Sequence, residues 1–477
     1  MMKPFVIVAL TVFLWLPCVP HPVVAPADAE LEDEDSSCST PPWTYLGAPM
    51  VIKVPDKQTY RGKLQLSPDG HTMAIGYNLE HDRMGVTGYG VSTYTYVHKA
   101  KKWIALDTPM ELSKDHPGEA AGCDMAMSEN VLAISKVGFH QESKEDQVHV
   151  HLLSPSLRNG VAWVESFQPI VNDSPNKDKE AFGQSVALAE MSQANQEVNA
   201  FFVAVGIPGI YTEDESPTLG RVQVYKPAFH DDNPFAFDSN DWEKVGPSIL
   251  GNTWDFGSTV QLSKDGKVVA VQGATACSSN NCSDPRIPTC VVQVFEFSED
   301  TSGWIQRGQD IMTDDSKHNF VCKSWDLSGD GASLVAGSRF LSAPNKDPVG
   351  HVQVWFYDES HSKKWMLKGT NVDTLVSQYV SNKKNRVHFG SKLSLSRDGT
   401  RLAVTVTERP HNQRFDPPKP VYRHSSILTF DWKNSTQQWT QILGSLDLPF
   451  GVDSTALSAD GTVLATALKD QYQQNVA

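Results

Sequence analysis

Apolar and polar residues alternate over short runs along most of the chain, and the runs come in pairs separated by Ser-x-Asp-Gly. Phe256–Val271 reads FGSTVQLSKDGKVVAV, and Phe389–Val404 reads FGSKLSLSRDGTRLAV. The same pattern stands at Gly62–Gly76, Cys322–Gly337 and Phe450–Ala467. Two copies lack the Asp-Gly: Gly122–Ser135 has Glu129-Asn130 there, and Phe182–Gly206 carries a longer turn. Period-two alternation marks a strand with one buried face, and Asp-Gly supplies the positive φ of a tight turn. Each copy therefore predicts a β-hairpin, and there are seven.

A third strand follows as Gly-x-Val-x-Val-aromatic, seen in GRVQVY (Gly220–Tyr225), CVVQVF (Cys290–Phe295) and GHVQVW (Gly350–Trp355). A tryptophan then marks a fourth strand, at Trp103, Trp163, Trp242, Trp304, Trp365 and Trp439. Several of these read Trp-x-x-x-Gly. Trp43 stands before the first hairpin, and no tryptophan follows the seventh. Four antiparallel strands recurring seven times, with an orphan outer strand near the N-terminus, predict an all-β fold. It is a seven-bladed β-propeller whose ring is closed by an N-terminal strand, Trp43–Ile52, completing the last blade and so removing an open sheet edge. The third strand of that blade is expected from Gln471–Ala477. Recurring tryptophans and Asp-Gly turns are thereby assigned to packing, not catalysis.

The N-terminus breaks the pattern. Phe5–Leu16 (FVIVALTVFLWL) is an unbroken apolar run after Lys3, followed by prolines and small residues. It reads as a secretory signal, residues 1–29, with Ala27-Asp28-Ala29 as the cleavage site, and is shorter than the roughly 20 residues that span a bilayer. Residues 30–41 form an acidic leader, and residues 42–477 the propeller. No further run of spanning length follows, so no membrane span is expected after signal removal and the address is secreted or extracellular. The net charge of −15 argues against nucleic acid as a partner. Six cysteines remain beyond Cys18, an even number that suggests disulfides in a secreted chain. Cys277 leaves the second strand of blade four and Cys290 enters the third, which makes these two the leading candidate pair, with Cys277–Cys282 and Cys290–Cys322 as the alternatives. Sequons stand at Asn172, Asn281 and Asn434; Pro175 follows the first and Cys282 crowds the second, which leaves Asn434 favoured.

The string FGSTVQLSKDG…VVAVQG…CVVQVFEF resembles the FG-GAP repeat, the blade unit of the integrin α-subunit head and of secreted propeller proteins. Its Phe-Gly opening recurs at Phe182, Phe256, Phe389 and Phe450. LSPDG and LSKDG also resemble the hairpins of WD40-like and lactonase-type propellers. The FG-GAP resemblance implies Asp-x-Asp-x-Asp-Gly calcium loops. Most turns here carry a single aspartate, and only Asp326-x-Ser328-x-Asp330-Gly331 spaces three oxygen side chains suitably, which makes it the calcium candidate. His149 and His151 share one strand face in VHVHLL; a half-exposed strand is the expected reading and a metal pair the alternative.

There is no Gly-x-Ser-x-Gly elbow, His-Glu-x-x-His helix or phosphate loop. The expected function is a non-enzymatic module binding a protein or glycan through the long inter-strand inserts at 80–88, 141–146, 212–219, 277–289 and 408–423. The alternative is a hydrolase or lyase with a divalent ion in the propeller funnel.

Overall fold

The computed structural model describes residues 6–15, 43–54, 63–81, 85–106, 110–112, 124–137, 146–156, 160–174, 180–191, 200–209, 218–228, 242–253, 255–275, 289–312, 321–339, 351–369, 372, 385–410, 424–442, 445–448 and 451–469. They form seven antiparallel sheets, each with four main strands, which in blades one to six run in sequential order from the centre outward. Blade one comprises Leu64–Leu66, Thr72–His81, Gly85–Val97 and Lys102–Ala105. Blade four comprises Thr259–Leu262, Val268–Thr275, Thr289–Ser298 and Gly303–Gln306. Inner strands of successive blades lie side by side, the seventh against the first. The chain is a seven-bladed β-propeller.

The core is divided among the seams. Seven hydrophobic clusters exist, one at each blade–blade interface. The Phe-Gly opening belongs to them: Phe182, Phe256 and Phe389 are fully buried. Each is followed by a glycine at positive φ (Gly183 81°, Gly257 91°, Gly390 74°). At Gly257 a Cβ would also lie 2.7 Å from the Arg221 carbonyl, so only glycine lets the chain turn into the inner strand there.

The Trp-x-x-x-Gly motif is an outer latch. The Trp365 indole donates to the Arg307 carbonyl (2.7 Å), Trp439 to Lys368 (3.0 Å), Trp304 to Val245 (2.9 Å), Trp242 to Gln168 (2.9 Å) and Trp103 to Leu46 (2.9 Å). Each acceptor belongs to the preceding blade. In four of the five it stands just before the motif's glycine, whose positive φ interrupts the fourth strand and presents that carbonyl outward. Trp163 lacks this partner; its indole nitrogen is buried without a hydrogen bond.

Blade seven is closed from the N-terminus. Its inner strands are Gly451–Leu457 and Val463–Lys469, and Trp43–Tyr45 is its outer strand, with Trp43 donating to the Thr429 hydroxyl of blade six (3.1 Å). Its third strand is Val6–Trp15, paired with Val463–Lys469 on one side and with Trp43–Tyr45 and Met50–Val54 on the other. That differs from the expectation of Gln471–Ala477, which lies outside the described residues. The physical reason is composition. A third strand is covered on both faces, and Leu10 and Val12 enter the seam with blade one while Phe13 enters the seam with blade six. Gln471–Ala477 is mostly polar, whereas the N-terminal run is apolar apart from Thr11.

Two outcomes check this packing. Trp365→Phe should cost about 1–3 kcal/mol by stranding the Arg307 carbonyl, whereas Trp163→Phe, which removes an unpartnered donor, should cost less. Urea denaturation of both decides it, and equal losses would refute the latch. A chain begun at Glu30 loses the burial of Leu10, Val12 and Phe13, on the order of 5 kcal/mol. It should melt well below the full chain, while deleting residues 30–41 alone should leave the melting temperature nearly unchanged, since Trp15 and Trp43 are register partners. A Glu30 chain as stable as the full one would show that this strand adds nothing.

Candidate functional site

The inner strands are sheet edges, so their outward backbone groups need partners beyond their own blade. Side chains of the adjacent inner strand supply them around the channel. Leu395 N donates to Asp326 Oδ2 (2.8 Å), Leu393 N to Ser324 (3.0 Å), Leu457 N to Ser394 (2.9 Å), Leu64 N to Ser454 (3.3 Å) and Val186 N to Asp124 (3.0 Å). Gln65 donates to the Met125 carbonyl (3.2 Å), and Lys63 pairs with Asp124 at 2.7 Å.

At one mouth the Ser-x-Asp-Gly turns converge. In each, the serine hydroxyl and the backbone N–H two residues past the aspartate both donate to the aspartate, as at Ser67/His71 on Asp69 and Ser396/Thr400 on Asp398. The residues after the serines form a belt: Lys264 N donates to Gly329 O, Gly329 N to Arg397 O, Arg397 N to Ala459 O, and Ala459 N to Pro68 O. Proline has no N–H, so the belt ends at blade one. Blade two, which lost its Asp-Gly, borrows a carboxylate. Buried Glu190 of blade three accepts from the Ser128 hydroxyl, Asn130 N (3.1 Å) and Asn130 Nδ2 (3.0 Å), taking the part the turn aspartate plays elsewhere. Sequence reasoning missed Glu190; the missing Asp-Gly in Ser128-Glu129-Asn130 was the available signal.

The channel holds a cavity of about 340 Å³, and the turn-face mouth a wider one of about 620 Å³. Lys63, Lys392 and Arg397 line the channel against one carboxylate, Asp326, and no histidine or cysteine lines it among the described residues. Asp326 is enclosed by protein but partly exposed to the channel it lines. Burial pushes its pKa up to about 6, against the opposing pull of the Leu395 and Leu327 amides, Lys63 and Arg397. Burial likewise lowers the Arg397 pKa, opposed by Glu129, Glu190 and Asp326.

The three calcium-candidate residues are thus distributed among other partners. Asp326 caps blade six, while the fully buried Ser328 hydroxyl donates to Asp330, which also takes Ala332 N (2.9 Å). No cluster of three or more His, Cys, Asp or Glu is arranged for a metal among the described residues. Cys277 and Asn281 lie outside the described residues; Cys290 stands opposite Ala274 in blade four. Asn172 is engaged: its amide donates to buried Glu180 (3.2 Å) and accepts from Arg221 (3.1 Å). Asn434 sits in an exposed hairpin turn, its side-chain oxygen accepting from Trp432 (2.8 Å). His149 and His151 are on one face, as expected, but that face is turned into the seam with blade one, so the strand is not half-exposed: His151 is 7% exposed.

No protein-family model matches the chain, and no curated protein matches it. Among solved structures, it is similar to the periplasmic gluconolactonase of Pseudomonas aeruginosa at 14% identity and a TM-score of 0.44, over 92% of this chain and 96% of that one. A β-propeller domain from Myceliophteria thermophila gives 7% identity and 0.38, over 85% and 95%. A Bombyx mori β-fructofuranosidase gives 10% and 0.34, over 86% and 92%. These structures span enzymes and a propeller domain, and likeness at this level assigns no activity.

Asp326 makes a pH prediction. Its folded pKa is raised from 3.8 to about 6, so its contribution to stability is fully present below about pH 4 and lost as pH rises through 6. The loss is at most about 3 kcal/mol. Asp326→Asn cannot titrate and carries a pH-independent cost from facing backbone donors. In urea denaturation the wild type should therefore lose stability relative to the variant between pH 4 and 7. A constant offset over that range would show that Asp326 titrates normally.

Proposed function

We propose that the protein is an exported, non-enzymatic β-propeller that binds a protein or glycan on the face opposite the Ser-x-Asp-Gly turns. One observation carries this reading. In blades one to six the second strand ends and the third begins on that face, as at Ile207 and Arg221, Thr275 and Thr289, Arg339 and His351, and Pro410 and His424. Connections of variable length are thereby gathered on one side, while the turn side spends its aspartates on its own backbone. Loops held on a rigid scaffold are where recognition concentrates.

A hydrolase or lyase with an axial divalent ion is the alternative reading; in the channel Lys63 is paired with Asp124, and Asp326, the one carboxylate lining it, already accepts from the Leu395 and Leu327 amides. Among the described residues no helix is long and apolar enough to cross a membrane. Export would use residues 1–29 as the signal. Cleavage after Ala29 would remove Val6–Trp15, so the exported chain keeps the third strand of blade seven only if these residues are retained. N-terminal sequencing of exported protein tests the address and the processing together, and finding the intact chain only in the cytosol would overturn both.

For binding, an immobilised panel of oligosaccharides and purified secreted proteins is the probe. Replacing residues 276–288 or 411–423 by Asp-Gly should abolish the interaction with little change in melting temperature. Binding that survives both replacements but is lost on Lys392→Ala would move the site into the channel.

A further inference from the structure

The seam between blades one and two departs from the other six. Blade two comprises Met125–Met127, Val131–Lys136, Gln147–Ser156 and Gly160–Glu165. The face of Gln147–Ser156 turned toward blade one carries His149 and His151, beside the apolar Leu132 and Ile134 of its neighbouring strand. The His149 side chain is 14% exposed and His151 is 7% exposed. The Nε2 atom of each is buried with no hydrogen-bond partner. A buried polar atom without a partner costs about 1–3 kcal/mol, so two of them on one face call for an occupant.

The chemistry of the pair points to its kind. His149 Nδ1 lies 2.6 Å from Glu165 Oε1, on the fourth strand. A carboxylate behind one ring nitrogen holds the proton there and leaves Nε2 as a bare donor, the arrangement found behind metal-bound imidazoles. His151 sits directly opposite Glu165 in register, two residues along the same strand face as His149.

We propose that His149 and His151 bind a divalent transition-metal ion of the zinc, cobalt, nickel or copper class through their Nε2 atoms, with Glu165 orienting His149 and water completing the coordination. The site lies in the outer part of the seam, away from the channel, and is independent of the function proposed above. It is also distinct from the exposed His71–His98 pair, whose Nε2 atoms lie 3.0 Å apart and satisfy each other.

Cobalt(II) added to chelator-stripped, full-length protein provides the test, read by its visible absorption and by thermal melting. One equivalent should bind and raise the melting temperature, as any ligand selective for the native state does. Glu165→Gln should weaken binding about 10–100-fold, and the paired change His149→Gln/His151→Gln should abolish it, with far-UV circular dichroism verifying that the variants fold. His71→Gln/His98→Gln should bind as the wild type does. In the unmutated protein, copper(II) spin-echo spectra should show two coordinated imidazoles, a readout that does not depend on any variant folding. Absence of a one-to-one complex, fewer than two imidazoles, or loss of binding only in the His71/His98 variant would each overturn the proposal.

Discussion

The ring rests on satisfying the open inner edge of each blade. A four-stranded sheet standing alone leaves the outward N–H groups of its first strand without partners, and seven such edges meet around one narrow channel. Side chains of the neighbouring inner strand take up these groups, as Asp326 does for Leu395 and Ser394 for Leu457. The apolar seams and the indole latches then follow from the same requirement, since a blade positioned to accept those bonds presses its face on the next. The belt of backbone bonds from Lys264 to Pro68 fixes the turn-face mouth, and the tryptophans fix the rim. Channel residues are therefore largely structural, which is why the polar lining of this funnel does not by itself amount to an active site.

The repeat was legible because each of its residues meets a local demand. Asp-Gly announces the turn through Gly266 at φ 69°, and Trp-x-x-x-Gly announces the latch through Gly308 at 78°. Even the ring closure could be read, since Trp43 had no hairpin of its own. What stayed hidden was set by neighbours distant in sequence. Nothing around Glu190 indicates that its carboxylate serves a turn in blade two, 60 residues earlier, and nothing local shows that Asp326 is a cap and not a calcium ligand. His149 and His151 alternate like any half-exposed strand; only the approach of blade one buries them.

The apolar run at the N-terminus was ambiguous for a physical reason. The core of a secretory signal and a strand covered on both faces ask for the same thing, roughly ten consecutive apolar residues. Val6–Trp15 satisfies the second demand, with Leu10 and Phe13 entering opposite seams. The two roles exclude each other once cleavage follows Ala29, because removal of residues 1–29 takes the third strand of blade seven with it. Composition alone could not distinguish them.

The two faces of the ring differ in what they leave available. On the turn side each aspartate accepts bonds from its own loop, and six carboxylates face only Lys264 and Arg397 across the mouth, so it keeps a negative charge whose hydrogen-bonding capacity is largely used within the turns. On the opposite side the strands of six blades hand over to connections that run from three residues between His81 and Gly85 to 13 between Ile207 and Arg221, between Thr275 and Thr289 and between Pro410 and His424. A scaffold that keeps the Ser-x-Asp-Gly turn in five of seven blades and varies mainly the other side concentrates its capacity for recognition there. The blades account for why the protein folds, and the varied face is where its partner should be sought.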